Sequence, residues 1–185
     1  SIVSSIPDSS VFLYSENKLV IMAQIQSDHG GPQDVILTGN PGNFHPHISA
    51  FQTYNGLPQD SMISEFLAPI SLKNDDLTFS GRLEGASIDQ TNDQFVARIS
   101  KDGELDLIIR ENDPIEGHNL LLTLDLLPPI SQHRDTLILG SLGNDLVIIS
   151  ARAGRSPIVL ARENQKLATN EQDYLIKQLH AESIM

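Results

Sequence analysis

The stretch Arg110-Glu111-Asn112-Asp113-Pro114-Ile115-Glu116-Gly117 sets the plan of the chain, because one apolar run precedes it and another follows it. Its first three residues recur 52 residues later as Arg162-Glu163-Asn164, again just after an apolar run. Tyr54-Asn55-Gly56-Leu57-Pro58 is a weaker echo near the start. A turn that returns at such intervals is typical of repeat architectures such as solenoids and propellers.

Apolar and polar residues alternate around this turn with a period of two, which indicates half-buried strands. The alternating segments are Leu77–Leu83, Phe95–Ser100 and Leu105–Ile109. Lys101-Asp102-Gly103 predicts a hairpin between the last two, because Asp-Gly tolerates the positive φ of tight hairpins. A fourth strand is predicted over Leu120–Leu126, before Pro128-Pro129. We therefore expect a unit of four antiparallel strands.

Two further units follow the same plan. Pro69-Ile70-Ser71 returns as Pro129-Ile130-Ser131 at an offset of 60, which aligns Asp75 with Asp135 and Leu77 with Leu137. In the first unit Leu19 lies 58 residues before Leu77. The chain is therefore predicted to contain about three units.

These patterns predict an all-β fold of repeated four-stranded antiparallel units that are propeller-blade-like, with a β-sandwich or barrel as the alternative. We divide the chain into a lead-in at residues 1–16, one β-repeat domain at 17–168 and a helical segment at 169–185. Propellers typically have about four to eight blades, so three units leave a ring incomplete. We therefore expect a fragment of a longer protein, completion by another copy or subunit, or closure as a sandwich or barrel instead. The start at Ser1 without a methionine favours a fragment or a processed chain.

The helix is predicted from Asn170 to Ser183. Asn170 is a favourable N-cap, and the acidic Glu171 and Asp173 suit the positive end of a helix. Apolar residues then recur on one helical face, at Leu175, Ile176 and Leu179.

The turn at Arg110–Gly117 resembles the R-E-G-D-P-x-P-G turn of exported bacterial proteins that carry tandem N-x-x-G-x-x-A-F repeats. Asn112 stands where that family has a glycine, and asparagine is the next most tolerant residue of left-handed geometry. The residues at the family's Asn, Gly, Ala and Phe positions differ in both units that align: Leu72, Asp75, Thr78 and Phe79, then Gln132, Asp135, Ile138 and Leu139. The resemblance implies β-sheet repeats and an extracellular or cell-surface location, and it transfers no functional residues.

The composition excludes several classes of function. The formal net charge is −12, which repels nucleic acid and anionic membranes. The chain has no cysteine, so disulfides and thiolate chemistry are excluded. No apolar run is long enough to cross a bilayer, so no membrane insertion is expected.

Two groups of residues are candidate metal ligands. His45-Pro46-His47 could place two imidazoles on one loop, and Zn²⁺ would need a further ligand such as Asp28 or His29. The acidic loop residues Asp89, Asn92 and Asp93 offer oxygen ligands of the kind that Ca²⁺ prefers. Loop and turn chemistry explains the same residues without a metal.

No nucleophile elbow, zinc-protease helix or phosphate-binding glycine loop occurs in the sequence. We therefore assign no catalytic residue and no cofactor, apart from the calcium alternative. The predicted function is a non-catalytic extracellular or surface module for protein or glycan binding or for structural assembly. The alternative is a carboxylate-based hydrolase with a site in a central cleft, which two buried carboxyl groups with raised pKa values in a deep pocket would favour.

Overall fold

A computed structural model describes residues 3–5, 11–13, 18–26, 31–73, 75–122, 124, 130–132, 135–168 and 173–175. Over these residues the chain is all-β, as predicted, and the strands pair antiparallel throughout the named sheets. None of the described residues belongs to a helix that could span a bilayer.

The strands form three larger sheets and one two-stranded ribbon. Sheet 1 contains β1 (Val3–Ser5), β2 (Val11–Leu13), β3 (Leu19–Gln26), β4 (Pro32–Asn40) and β5 (Asn43–Ser49). Sheet 2 contains β6 (Ser61–Lys73), β7 (Asp76–Gly85), β8 (Gln94–Ile99) and β9 (Leu105–Arg110). Sheet 3 contains β10 (Pro114–Ile115), β11 (His118–Leu122), β12 (Ile130–Gln132), β13 (Asp135–Leu142), β14 (Asp145–Ala151) and β15 (Ile158–Arg162). The ribbon pairs β16 (Lys166–Ala168) with β17 (Asp173–Leu175).

The three sheets share one strand order. An entry strand pairs with a second strand, which pairs with a third, which pairs with a fourth. In sheet 2 the entry strand is the single strand β6, which is interrupted by three register shifts. In the other sheets it is split, since β1 and β2 both pair with β3, and β11 and β12 both pair with β13.

The prediction that Leu120–Leu126 completes the second unit is wrong. Leu120 lies opposite Leu142, so β11 opens sheet 3, and the entry strand of sheet 2 is instead β6, which precedes β7 in the chain. Alternation of apolar and polar residues shows that a segment is a strand but does not show its partner. Sheet 2 has the predicted four strands, with its boundaries shifted by one strand, whereas sheet 1 has five strands and sheet 3 has six.

The predicted offset of 60 is also wrong by one residue. Lys73 pairs with Asp76 across one hairpin and Gln132 pairs with Asp135 across the equivalent hairpin, an offset of 59. Thr136, rather than Leu137, therefore takes the place of Leu77. The offset of 60 came from aligning the two identical Pro-Ile-Ser triplets. The difference of one residue matters because it moves each side chain to the opposite face of the strand.

Consecutive sheets share apolar cores. The first core joins buried residues of sheets 1 and 2, among them Val20, Ile36, Ile48, Phe79 and Phe95. The second core joins sheets 2 and 3, among them Val96, Ile109, Ile138, Val147 and Ile149. Phe79 makes edge-to-face contacts with Phe66 and Phe95, with ring centroids 5.6 and 5.7 Å apart. Few aromatic side chains are needed because aliphatic residues fill the rest.

Strands occur within both predicted terminal segments, the helix and the lead-in, wherever their residues are described. Inside the predicted helix, residues 173–175 form β17, and the remainder of Asn170 to Ser183 lies outside the described residues. Inside the predicted lead-in, residues 3–5 and 11–13 pair with β3.

Candidate functional site at the seams between sheets

Each of the three larger sheets ends in the same turn. The backbone N–H of Ala50 donates to the carbonyl of Asp34, that of Glu111 to Gln94 and that of Glu163 to Leu146, each at 2.8 Å. These three hydrogen bonds make Ala50, Glu111 and Glu163 equivalent positions. The recurrence of Arg110-Glu111-Asn112 at Arg162 therefore marks a repeated turn, as the sequence predicted.

The residue after this position adopts positive φ in every turn: 56° at Phe51, 69° at Asn112 and 62° at Asn164. The predicted echo at Tyr54–Pro58 is consequently misplaced, because Phe51 and not Asn55 occupies the position of Asn112. Sequence reasoning missed Phe51 because a bulky side chain is an uncommon choice for left-handed backbone geometry.

A side-chain acceptor caps each turn. Asp113 accepts from the backbone N–H of Arg110 at 2.7 Å, and Gln165 accepts from that of Arg162 at 3.2 Å. In sheet 1 the hydroxyl of Tyr54 accepts from the N–H of Ser49 at 2.9 Å and lies 3.0 Å from its carbonyl oxygen. Three different side chains thus perform one structural role.

Glu111 bridges sheets 2 and 3. Its carboxylate accepts hydrogen bonds from the backbone N–H groups of Gln94 and Leu122, and it lies beside the carboxylate of Asp93. Burial raises the pKa of Glu111, the negative charge of Asp93 raises it further, and the two N–H groups oppose the shift. Arg82 lies 2.8 Å from Asp93 and balances its charge.

The two charged turns differ in their contacts. Glu111 contacts the next sheet, whereas the guanidinium of Arg162 pairs within sheet 3, with Glu116 at 2.6 Å and with Asp145 at 3.4 Å. The charged residues of the turns hold neighbouring segments together.

A cavity of about 340 Å³ opens at the first seam, which we define as the boundary between sheets 1 and 2. Sheet 1 contributes Lys18, which directly precedes β3, together with His45, Pro46 and His47 of β5. Sheet 2 and its hairpins contribute Asp75, Ser100, Lys101 and Gly103. The structure thus brings the two predicted histidines together and adds lysine and aspartate beside them.

The two imidazoles meet at one hydroxyl. Thr38 Oγ1 lies 3.3 Å from His45 Nε2 and 3.1 Å from His47 Nδ1. A hydroxyl has one proton to donate and can also accept, so it can link two neutral rings in a single hydrogen-bonded chain. Thr38 is buried, and this fixes the position of both rings.

Ionic contacts complete the lining of the cavity. Lys18 pairs with Asp75, and this contact lowers the pKa of Asp75, with a smaller contribution from the histidines. Burial lowers the pKa of His47, and the nearby His45 lowers it further, whereas the Ile99 carbonyl, Asp75 and Asp76 act in the opposite direction. His47 therefore favours the neutral form that a hydrogen-bonded pair of rings requires.

The predicted zinc ligands lack a partner in the part of the chain that the structure describes. No group of three or more histidine, aspartate or glutamate side chains is placed there to hold a metal ion. Asp28 and His29, named as further ligands, lie outside the described residues. His45 and His47 remain a hydrogen-bonding pair around Thr38.

The loop with Asp89, Asn92 and Asp93 is closed by its own hydrogen bonds. Asp89 Oδ1 accepts from the N–H of Thr91 at 2.8 Å and from its hydroxyl at 2.6 Å. Asn92 Oδ1 accepts from the N–H of Asp89 at 3.0 Å, and Asp93 pairs with Arg82. These contacts support the interpretation of the loop as turn chemistry.

A second cavity of about 460 Å³ lies at the second seam, the boundary between sheets 2 and 3. Its lining is Thr91, Asn112, Gly117, His118, Asn119, Leu121 and Gly143. It contains a histidine but no lysine, arginine or carboxylate, so the first cavity offers more varied polar contacts.

Sequence reasoning found His45 and His47 but missed Lys18 and Thr38. Neither belongs to a motif, and both join the site through strand pairing, since Thr38 lies opposite His45 in the register of β4 and β5. The alternation of strand side chains could have placed Thr38 with the histidines only if the hairpin register had been known.

Comparison with protein-family models, curated proteins and solved structures finds no match to this chain.

Proposed function

We propose that this protein is a non-catalytic β-repeat module whose first seam binds a protein or glycan partner. The observation that supports this is the cavity with Lys18, His45, His47 and Asp75 in its lining. Its volume of about 340 Å³ falls within the range of roughly 300–1,000 Å³ that is usual for ligand sites. Its donors and acceptors suit hydroxyl, amide and carboxylate groups. The resemblance to exported repeat proteins supports an extracellular or cell-surface location.

We further propose that the sheets are propeller-blade-like. Four antiparallel strands in sequential order, stacked on the next sheet through a shared core, are the geometry expected of blades. The three larger sheets described fall short of the usual four to eight blades, so further copies or subunits would complete a closed ring.

Binding at the first seam is tested with an array of immobilised glycans and peptides, followed by titration of each positive probe. We expect His45→Ala and Lys18→Ala to weaken binding at least about tenfold, because each removes a polar contact in the cavity. His118→Ala at the second seam is the matched control and should leave binding unchanged. Equal loss in all three variants, or binding that survives both first-seam changes, would contradict the proposed site.

The carboxylate hydrolase is the second candidate, because Glu111 is buried beside Asp93 and its pKa is raised. Neither carboxyl group lines the two seam cavities described above. A panel of nitrophenyl glycosides and esters tests this candidate directly. Hydrolysis that Glu111→Gln abolishes, while the variant remains folded, would favour the enzyme over the binding module.

A further inference from the structure

Sheet 3 presents an apolar side away from the core that it shares with sheet 2. Its strands alternate, so Ile138, Val147 and Ile149 enter the second core while their neighbours lie on the opposite side. We call that opposite side the outer face. The strand register places Leu121, Leu137, Leu139, Leu146, Ile148 and Ile158 on this face. Leu160 is the extra residue of the bulge in β15, and its side chain is exposed.

Exposure of large apolar side chains is concentrated on this face. Among the described residues, four large hydrophobic side chains are exposed; Ile158 at 63% and Leu160 at 54% lie on β15, and Leu121 at 47% lies on β11 and also lines the second-seam cavity. A group of exposed apolar side chains on one sheet usually marks an interaction site, whereas single exposed residues do not.

The equivalent positions in sheets 1 and 2 lie at seams. The register of β14 and β15 shifts at Leu160, and the same shift occurs at His47 in β5 and at Ile108 in β9. His47 lines the first seam and Ile108 packs against the second core. The residues equivalent to Leu160 in sheets 1 and 2 therefore both lie against the next sheet.

The charge of sheet 3 also differs from that of the whole chain. Residues 114–122 and 135–165, which hold most of sheet 3, contain four acidic and three basic side chains, while the full chain carries −12. Two copies that met through sheet 3 would therefore avoid most of the repulsion that their acidic sheets impose.

We propose that the outer face of sheet 3 binds the outer face of a second copy, in a symmetric dimer. The inference rests on the proposed repeat module but neither on its ligand nor on ring closure, which this two-fold arrangement does not complete. A head-to-tail arrangement would use the other side of sheet 1, but Ile21, Val35 and Leu37 are already buried there. None of the described sheets packs on the outer face of sheet 3, and a two-fold axis lets one apolar patch complement itself.

Sedimentation equilibrium and light scattering over a concentration series test the dimer. We expect reversible dimerisation, and Ile158→Glu or Leu160→Glu should raise the dissociation constant at least about tenfold, since each places a charge within an apolar interface. Thr53→Glu, at an exposed residue of another loop, is the control and should have little effect. Circular dichroism confirms that each variant is folded. A wild-type chain that stays monomeric at millimolar concentration would overturn the proposal.

The symmetry of the dimer is tested separately, and the absence of cysteine makes this simple. A nitroxide spin label is attached to the Asn144→Cys variant, in the exposed turn beside the outer face. This protein is mixed with wild-type protein that carries isotope-labelled methyl groups and no spin label. Broadening of the Leu146 and Ile148 methyl signals is expected. Broadening confined to Ile21, Val35 and Leu37 would instead show head-to-tail contact and overturn the symmetric arrangement. Neither the dimerisation nor the methyl broadening depends on glycan binding at the first seam. The dimer and the binding site can therefore be contradicted separately.

Discussion

Glu111 shows how one side chain can hold two sheets together. Its carboxylate accepts N–H groups from Gln94 in sheet 2 and from Leu122 in sheet 3, and these are strong hydrogen bonds when the acceptor is ionised. The same group is buried at 4% exposure beside Asp93, which disfavours its charge. Oε2 of the carboxylate is nevertheless buried without a hydrogen-bond partner among the described residues, so ionised Glu111 combines its N–H contacts with an electrostatic cost.

The sign of the pH dependence follows from the raised pKa of Glu111. Folding favours the protonated carboxyl, so this group contributes most below its unfolded pKa, and its contribution is lost as the pH rises through the folded pKa. Glu111→Gln should flatten this dependence and maintain or raise stability at neutral pH. Chemical unfolding followed from pH 4 to pH 8 measures the effect. Glu163→Gln, at the equivalent turn, is the control, and a large loss of stability at neutral pH in Glu111→Gln alone would contradict the assignment.

Tyr54 supports the first turn through both polar groups of Ser49. Tyr54→Phe should cost about 1–2 kcal/mol of unfolding free energy, because a partly buried N–H and carbonyl lose their partner. Urea unfolding measures the change, with Thr53→Ala as an exposed neighbouring control. Unchanged stability in Tyr54→Phe would show that the hydroxyl does not cap this turn.

At the scale of the elements, the loop from sheet 1 to sheet 2 packs closely on β9. Gly56 has a φ of +102°, and a Cβ at this position would lie 2.0 Å from the carbonyl oxygen of Leu105. Gly42, in the hairpin of sheet 1, also has positive φ (+86°) but faces open space. A comparison of substitutions at the two glycines therefore separates the cost of backbone strain from the cost of a steric clash.

Gly56→Ala should therefore destabilise the fold by about 2–4 kcal/mol, from strain and overpacking together. Gly42→Ala should cost about 1–2 kcal/mol, from strain alone. Thermal and urea unfolding of both variants provide the comparison. Equal losses would mean that the loop does not contact Leu105 as closely as described.

The sequence pattern identified the strands of this fold better than it identified their partners. Leu77–Leu83, Phe95–Ser100 and Leu105–Ile109 all fall on or near β7, β8 and β9. The predicted half-buried character is wrong for β7 and β8, where consecutive residues are buried because sheet 2 packs between sheets 1 and 3. Leu120 was assigned to the wrong sheet, since pairing depends on contacts between distant residues. The Asp102-Gly103 hairpin was predicted correctly because turn chemistry is local, and Gly103 has a φ of +84°.

The same limit applies to the candidate site. His45 and His47 stood out because they flank one proline, but Thr38 and Lys18 joined them only after β4 paired with β5 and sheet 2 packed on sheet 1. The Tyr54 cap was equally invisible, since its equivalents are Asp113 and Gln165. Residues that act through tertiary contacts leave no spacing for a motif search to find.

At the scale of the whole molecule, the sheets are joined in chain order, and each one packs against the next. The first core joins sheets 1 and 2 and the second joins sheets 2 and 3. This serial arrangement leaves the outer face of sheet 3 without a following sheet among the described residues. An acidic chain with one neutral, apolar face is suited to association through that face.

This serial arrangement depends on β11, which belongs to sheet 3 and not to the second unit, where the sequence predicted it. Backbone nuclear Overhauser effects between β11 and its neighbours test it most directly. We expect cross-strand contacts of Leu120 with Leu142 and of Leu122 with Gly140. Contacts of Leu120–Leu122 with β9, in place of β13, would contradict the arrangement of sheets described here.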